Sequence, residues 1–185
     1  MAVQAHMRVS VEEFEKIAAL PENADRRLEY IGGEVVEVVS NSLSSRIAAN
    51  ILGEIFSYNK QHDLGYITTS DGGYRVSGED YMPDVGFISK AKHPKGPRET
   101  WIPYAPDLAV EVVSPTDRRQ KIAVKVGNYV AAGTLLWYFY PEEQEVNVHE
   151  PGQAVKTFTI NDVLDGGKVL PGFKVALKDI FPTDD

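Results

Sequence analysis

Glu111 lies in an apolar run, residues 107–113, whose length and composition are typical of a buried strand. A carboxylate in such a strand is costly unless a metal ion, a cation or hydrogen bonds satisfy it. A second carboxylate, Asp84, opens another apolar run, and a lysine-bearing helical segment follows Glu111 within a few residues. Two carboxylates on neighbouring strands with a lysine close by are the residue types of a metal site.

Asp84 and Asp107 each follow a proline, and each is a candidate partner for Glu111. Asp107 and Glu111 share one face of a strand, but four residues at ~3.3 Å per residue put their Cα atoms roughly 13 Å apart. One hard cation with ligand distances of ~2.0–2.6 Å does not bridge that span. Asp84 on an adjacent strand would lie about 5 Å from Glu111 across the sheet. The spacing therefore favours Asp84 as the partner and makes Asp107 a strand-entry residue.

Structural explanations compete with this interpretation. An aspartate after a proline, such as Asp84, is also typical of a turn, and Glu111 also suits an ion pair within a sheet. Glu29 is a further candidate because it precedes an apolar strand, and its alternative is an ion pair with Arg26 or Arg27. The combination of two carboxylates with a downstream lysine favours the functional interpretation.

Lys121, Lys125 and Tyr129 recur at every fourth position of the helical segment and form one stripe. Such a lysine can reach over the edge of a sheet while burying its stem, although a solvated helix lysine gives the same pattern. Arg118 and Arg119 would stand in the first turn, where they oppose the helix dipole. This arrangement indicates an external negative charge, so Arg118 and Lys121 are candidate substrate-binding residues.

The 185-residue chain has a net charge of −8, which counts against a protein that coats nucleic acid non-specifically. Residues 86–133 differ, because eight lysines and arginines outnumber four acidic residues there. A locally basic stretch in an acidic chain suits a phosphate-bearing substrate, although a solvated mixture of surface charges has the same composition. We expect Lys92 and Lys95, in the loop after the Asp84 strand, to extend beside the site and contact phosphates.

The composition excludes several classes of site and location. Cysteine is absent, so there are no disulfides and no thiolate metal sites, and the four histidines are too scattered to suggest a zinc site. No apolar run approaches the ~20 residues that span a bilayer, and the N-terminus lacks the apolar stretch of a signal peptide. We expect a cytoplasmic protein that does not bind membranes.

The apolar patterns predict helices and strands in alternation. A capping box at Ser10 and Glu13 predicts a short helix that stops at Pro21, and a hairpin turning at Gly32 follows it. The remaining predicted elements are a longer helix capped by Ser42 or Ser44, extended segments over 65–76, a strand over 82–89, a polar loop over 90–103, the Glu111 strand, a helix entered at 114–117 and ending at Ala132, a strand over 134–140, and hairpins in 141–182. This order predicts a single domain of the mixed α/β (α+β) class over residues 1–185, with its core at about 41–140 and an N-terminal helix and hairpin at 10–39.

These residues resemble the PD-(D/E)XK nuclease superfamily, and within it the Uma-two family of small restriction-endonuclease-like bacterial proteins. The segments that carry the resemblance are Arg27-Leu28-Glu29, Pro83-Asp84-Val85, Asp107-Leu108-Ala109-Val110-Glu111-Val112-Val113, Lys125-Val126-Gly127-Asn128-Tyr129 and Leu170-Pro171-Gly172-Phe173. The resemblance covers nearly the whole chain. It implies a restriction-endonuclease-like core, in which helices flank a mixed central β-sheet, with extra β-hairpins at both ends.

The resemblance also implies roles for the site residues. The superfamily's metal-binding aspartate and glutamate fall on Asp84 and Glu111, and carboxylates without histidine or cysteine suit Mg²⁺ or Mn²⁺. The superfamily's lysine would fall on Val113, where it is missing. A helix lysine is implied to replace it, and this role falls on Lys125, with Lys121 as second choice.

The predicted function is that of a metal-dependent endonuclease, an Mg²⁺-dependent endodeoxyribonuclease that hydrolyses phosphodiester bonds in DNA. Its catalytic residues would be Asp84, Glu111, Lys125 and Glu29, the last holding a second metal ion or a metal-bound water. Two alternatives stay open: a non-catalytic nucleic-acid-associated or regulatory domain on a nuclease scaffold, and a carboxylate-pair hydrolase of another ester or a glycoside. A homodimer is one candidate assembly.

Overall fold

The structure, a computed structural model, describes residues 8–114 and 117–182. Its helices are α1 (Val11–Ala18), α2 (Ser42–His62) and α3 (Arg119–Ala131), with 3₁₀ turns at Pro21–Asn23 and Leu177–Asp179. Its strands are β1 (Leu28–Ile31), β2 (Glu34–Glu37), β3 (Gly65–Thr69), β4 (Gly73–Val76), β5 (Glu79–Tyr81), β6 (Val85–Ser89), β7 (Trp101–Ile102), β8 (Leu108–Val112), β9 (Leu135–Tyr140), β10 (Glu145–His149), β11 (Lys156–Thr159), β12 (Val163–Asp165) and β13 (Lys174–Ala176).

A six-stranded sheet in the order β11-β10-β9-β8-β6-β3 is the centre of the fold. Strands β8 and β9 are parallel, whereas the other neighbouring pairs are antiparallel. Helix α3 connects β8 to β9 along the chain, as a parallel pair requires a crossover. The chain therefore passes from the Glu111 strand into the lysine-bearing helix and returns to the same sheet.

Helix α2 covers one face of this sheet. Its residues Ile47, Ile51 and Ile55 recur at helical spacing and are fully buried in one hydrophobic cluster with alternate residues of β8. The helix begins one residue earlier than predicted, because the side chain of Asn41, rather than Ser42 or Ser44, accepts the capping hydrogen bond from the Ser44 amide.

A second sheet, in the order β2-β1-β5-β4-β7, contributes to a second hydrophobic cluster on the other side. The predicted hairpin is β1–β2, but it is part of this sheet rather than a separate appendage, because β1 also pairs with β5. The segment 90–103, predicted as a loop only, contains the two-residue strand β7. Tyr129 of α3 is buried in the same cluster, so α3 packs between the two sheets.

Helix α3 begins at Arg119, later than the predicted entry at 114–117, and Pro115 and Thr116 lie outside the described residues. Ahead of the helix, Asp117 accepts a hydrogen bond from the Ser114 amide at 2.7 Å. Gly133 follows the helix with a φ of +83°, in agreement with its predicted position at the C-terminal end. None of the helices in the described residues is long and apolar enough to cross a membrane.

Candidate active site

Strand β8 directs Glu111 away from α2 and towards α3. Val110 and Val112 are buried in the cluster with α2, whereas Ala109 belongs to the cluster that contains α3. Because side chains alternate between the two faces of a strand, Glu111 shares the face of Ala109. Its exposed fraction is only 7%, so its carboxylate depends on protein partners in place of water.

Two residues of α3 satisfy the Glu111 carboxylate. The Lys125 Nζ lies 2.8 Å from Glu111 Oε1, and the Tyr129 hydroxyl donates a hydrogen bond to the same oxygen at 2.9 Å. Residues four apart lie one above the other on a helix face, so both donors approach from one side. Tyr129 was part of the stripe predicted from the sequence, but the pattern did not indicate that the tyrosine hydroxyl would bind Glu111.

Glu29, on β1 of the second sheet, forms an ion pair with the same lysine. Its two carboxylate oxygens lie 3.0 and 3.1 Å from Lys125 Nζ, and Oε1 also accepts the Met82 amide at 2.6 Å. The alternative pairing with Arg26 is not formed, because Arg26 binds Glu37 across the β1–β2 hairpin at 2.7 Å. Both oxygens of Glu29 are therefore engaged by protein donors.

Asp84 immediately precedes β6 and is next to Glu111 when the register of the sheet is continued. Val85 pairs with Val110, and continuing this antiparallel register by one residue brings Asp84 opposite Glu111. The Val112 amide donates a hydrogen bond to Asp84 Oδ2 at 2.8 Å. The structure thus brings together the two carboxylates that the strand patterns had paired.

Asp107 lies at the other end of β8. It accepts a hydrogen bond from the Ser89 amide at 2.7 Å and forms an ion pair with Lys92. This position agrees with the prediction that Asp107 is apart from Glu111, but it corrects the expectation for the basic loop. The loop leaves β6 at Ser89, and Asp84 stands before the first residue of that strand. The structure does not bring Lys92 or Lys95 to Asp84.

Burial and charge shift the ionisation of the cluster. Burial raises the pKa of Glu111, and the charges of Glu29 and Asp84 add to this effect against the opposing charge of Lys125. Burial also raises the pKa of Asp84, although the Val112 amide and Lys125 oppose it. Burial alone lowers the pKa of Lys125, but the charges of Glu111 and Glu29 outweigh it and raise that pKa. Lys125 is therefore a protonated donor.

A pocket of about 320 Å³ opens onto this cluster. Glu29, Asp84, Glu111 and Lys125 all line it. Residues 34–40, which include β2, form one side, and the start of α3 contributes Arg118, Lys121 and neighbouring residues. The two carboxylates predicted as metal ligands thus lie in a concave site, the shape that is typical of ligand-binding sites.

Of the predicted substrate-binding residues, Lys121 and Arg118 line the pocket, whereas Lys92 and Lys95 do not. The Lys121 ammonium group lies 2.9 Å from Glu34 Oε2 and donates a hydrogen bond to the Ile31 carbonyl at 2.8 Å. Through these two contacts Lys121 links α3 to the β1–β2 hairpin. Arg118 is exposed and precedes the first residue of the helix.

A second hydrogen-bond network, which the sequence did not indicate, supports Lys125. Glu79 accepts hydrogen bonds from the Gly32 amide at 2.6 Å and from Asn128 at 3.0 Å, and it also binds the Tyr81 hydroxyl. The Lys125 ammonium group lies 5.3 Å from the centre of the Tyr81 ring, within the range of a cation–π contact. This network fixes the hairpin turn, β5 and α3 around the lysine.

Comparison with solved structures shows that the fold is that of a protein described as a nuclease. The crystal structure of "a putative nuclease belonging to DUF820" from Anabaena variabilis has a TM-score of 0.81 at 22% sequence identity, with 94% of this chain and 97% of that chain covered. The likeness confirms the predicted fold class, mixed sheets with flanking helices in a nuclease-type arrangement.

The chain belongs to the Uma2 family, whose family model is described as "Putative restriction endonuclease" and matches residues 11–178. This is the family that the sequence motifs had indicated. No curated protein matches the chain.

Proposed function

We propose that the protein is a metal-dependent endonuclease that hydrolyses phosphodiester bonds in DNA. The observation that carries the proposal is the contact of Lys125 with both Glu111 and Glu29, beside Asp84, in a pocket open to a ligand. The family description supports a nuclease.

The donor set of the pocket fits a hard divalent cation. Asp84 and Glu111 offer carboxylate oxygens, and both contacts from α3, the Lys125 ion pair and the Tyr129 hydrogen bond, go to Oε1 of Glu111 rather than to Oε2. Within residues 8–114 and 117–182, no three acidic or histidine side chains are grouped as a metal cage. Mg²⁺ commonly binds through one or two carboxylates together with waters and substrate phosphates. When bound, Mg²⁺ or Mn²⁺ would polarise the phosphate and lower the pKa of a coordinated water.

The protein's own residues would orient and stabilise the reacting group. Lys125, fixed between two carboxylates and protonated, can donate hydrogen bonds to a phosphoryl oxygen as negative charge develops. Glu29 would act by holding Lys125 rather than as a metal ligand, since both of its oxygens are already engaged. The Tyr129 hydroxyl would fix the rotamer of Glu111.

A cleavage assay tests the proposal. Supercoiled and single-stranded DNA are incubated with the protein and Mg²⁺, Mn²⁺ or EDTA, and the products are resolved on gels. Cleavage should need the divalent cation and should be lost in Glu111→Gln and in Lys125→Met. Lys156→Ala, an exposed change on β11 outside the pocket, is the matched control and should keep full activity. Cleavage that persists in EDTA would refute metal dependence and indicate a metal-independent nuclease.

A second candidate is a non-catalytic nucleic-acid-associated domain. It is favoured by one observation, that Lys125 and Tyr129 both contact Glu111 Oε1 and would compete with a metal ion for this oxygen. DNA binding with no turnover under any cation would support this candidate. The DNA partner and the homodimer predicted from the sequence are part of the proposal, and light scattering of the purified protein tests the dimer.

A further inference from the structure

The reactive groups of the pocket lie below the protein surface. Glu111 and Lys125 are only 7% and 6% exposed, and the pocket above them measures about 320 Å³. Pockets of this scale enclose ligands of drug size, which is the size of one nucleotide. Duplex DNA is a stiff rod with a persistence length of about 150 base pairs. A recess of this size can enclose part of a flexible single strand much more readily than part of such a rod.

The charges of the pocket argue against binding through many phosphates. Its lining contains six carboxylates and three cations. Lys125 is paired with Glu111 and Glu29, and Lys121 is paired with Glu34. Among the described residues, Arg118 is the lining cation without an ion pair. Duplex binding draws its affinity mainly from neutralised phosphates, and this lining supplies few.

One wall of the pocket, residues 34–40, combines apolar side chains with Glu34 and Glu37. The chain from β2 onward contributes four lining valines, Val35, Val36, Val38 and Val39. Val39 is 58% exposed, so a ligand at the mouth of the pocket can contact it. Nucleobases present apolar faces that are hidden by stacking in a duplex and open in a single strand. Enzymes that hold an extruded base pack aromatic or apolar side chains against it.

We propose that the pocket binds an unpaired nucleotide against these four valines, the valine wall, so that the preferred substrate is a single-stranded segment of DNA rather than an intact duplex. This inference rests on the proposed nuclease function and specifies its substrate class. Arg118 and Lys125 would face the phosphate, while the valines would contact the base.

Binding is measured by fluorescence anisotropy with wild-type protein in EDTA, so that no cleavage is needed. One labelled oligonucleotide is used as a single strand and as a duplex with its complement. The single strand should bind about fivefold more tightly, the lower end of the effect of one base stacked on an aromatic ring, because valines offer apolar contact without a ring. Equal or tighter binding of the duplex overturns the inference.

The valine wall is tested separately. Val39→Ser should weaken single-strand binding about threefold, as the loss of part of one base contact predicts, and leave duplex binding unchanged. The matched control is Val163→Ser, because Val163 is 50% exposed on β12 and lies outside the pocket. This control should change neither affinity, and equal effects of the two variants would overturn the role of the wall.

A cleavage arm separates failure of this inference from failure of the proposed function. A gapped duplex is incubated with Mn²⁺, and cuts should fall in the unpaired segment. Cuts spread equally over paired segments overturn the inference while leaving the protein a nuclease. If no substrate is cut but the single strand is preferred in EDTA, the nuclease function fails and the binding preference stands.

Discussion

Lys125→Met tests whether the buried lysine is the counter-ion that offsets the cost of burying the carboxylates of Glu29 and Glu111. The change keeps the length and much of the volume of the side chain but removes its charge. Lys125 and Glu29 have side chains that are 8% and 3% exposed, so water cannot replace the lost partner. Removing one member of a buried ion pair typically costs about 3–5 kcal/mol. For a chain of this length that corresponds to a fall in Tm on the order of 10 °C.

The loss should depend on pH with a definite sign. The pKa of Glu111 is raised in the folded protein, mainly by burial, and Lys125 opposes that rise. Without the lysine, the folded pKa rises further above the unfolded value. A carboxyl with a raised folded pKa binds more protons when folded, so stability falls as pH rises between the two pKa values. Wild type loses stability in the same way up to the folded pKa of Glu111, about 8. The deficit of Lys125→Met relative to wild type should therefore change little between pH 6 and pH 8 and grow between pH 8 and pH 10.

Urea denaturation followed by circular dichroism across this pH range measures the deficit. The matched control is Lys121→Met, one turn earlier on α3, where the lysine pairs with a glutamate of the same hairpin. That pair is 18% and 24% exposed, so its loss should cost no more than about 1 kcal/mol and depend little on pH. Equal losses in the two variants, or a deficit for Lys125→Met that does not change with pH, would refute the counter-ion argument.

Four further variants test hydrogen bonds and packing in the fold that supports the site. Tyr129→Phe removes the hydroxyl donor to Glu111 and should cost about 1–2 kcal/mol in urea denaturation; no loss would mean that the hydrogen bond contributes nothing. Gly86→Ala brings a Cβ against a buried tyrosine hydroxyl and should lower stability by about 1–3 kcal/mol. Gly53→Ala, with open space on α2, should instead raise it by about 0.5–1 kcal/mol, so a shared direction in the two thermal melts would contradict this reasoning. The pKa of Asp107 is lowered, because its lysine and backbone partners outweigh burial; Asp107→Asn should be less stable than wild type near neutrality, and the difference should shrink as urea titrations move below about pH 4.

The sequence predicted the positions of Asp84 and Glu111 because each belongs to an apolar run that is recognisable as a strand. The apolar run around Glu111 is long enough to identify a strand, and two-residue alternation fixes the face on which its side chain lies. Asp84 could be chosen as its partner because residues opposite each other on adjacent strands lie about 5 Å apart, which is much closer than Asp107 and Glu111 on one strand. In contrast, β5 and β7 contain only three and two residues. Strands this short produce no measurable periodicity, so the second sheet was not predicted.

Proximity along the chain was a poor guide to partners. Glu29 has Arg26 and Arg27 nearby in sequence, yet its partner Lys125 is 96 residues away. Lys92 follows the Asp84 strand closely, yet the length of β6 separates it from Asp84, and it pairs with Asp107. In both cases the deciding factor is which strands become neighbours in the sheets, and local composition does not determine that.

The parallel pair β8–β9 has a consequence for the order in which the site assembles. Glu111 and Lys125 both belong to the continuous segment from β8 through α3, and bringing them together requires closure of a short loop only. Glu29 must be brought in across 96 residues, and closure of a longer loop costs more chain entropy. Folding that starts from β8, α3 and β9 would therefore join the lysine to one carboxylate first and recruit the hairpin carboxylate afterwards. The last step of folding would then be the one that completes the pocket.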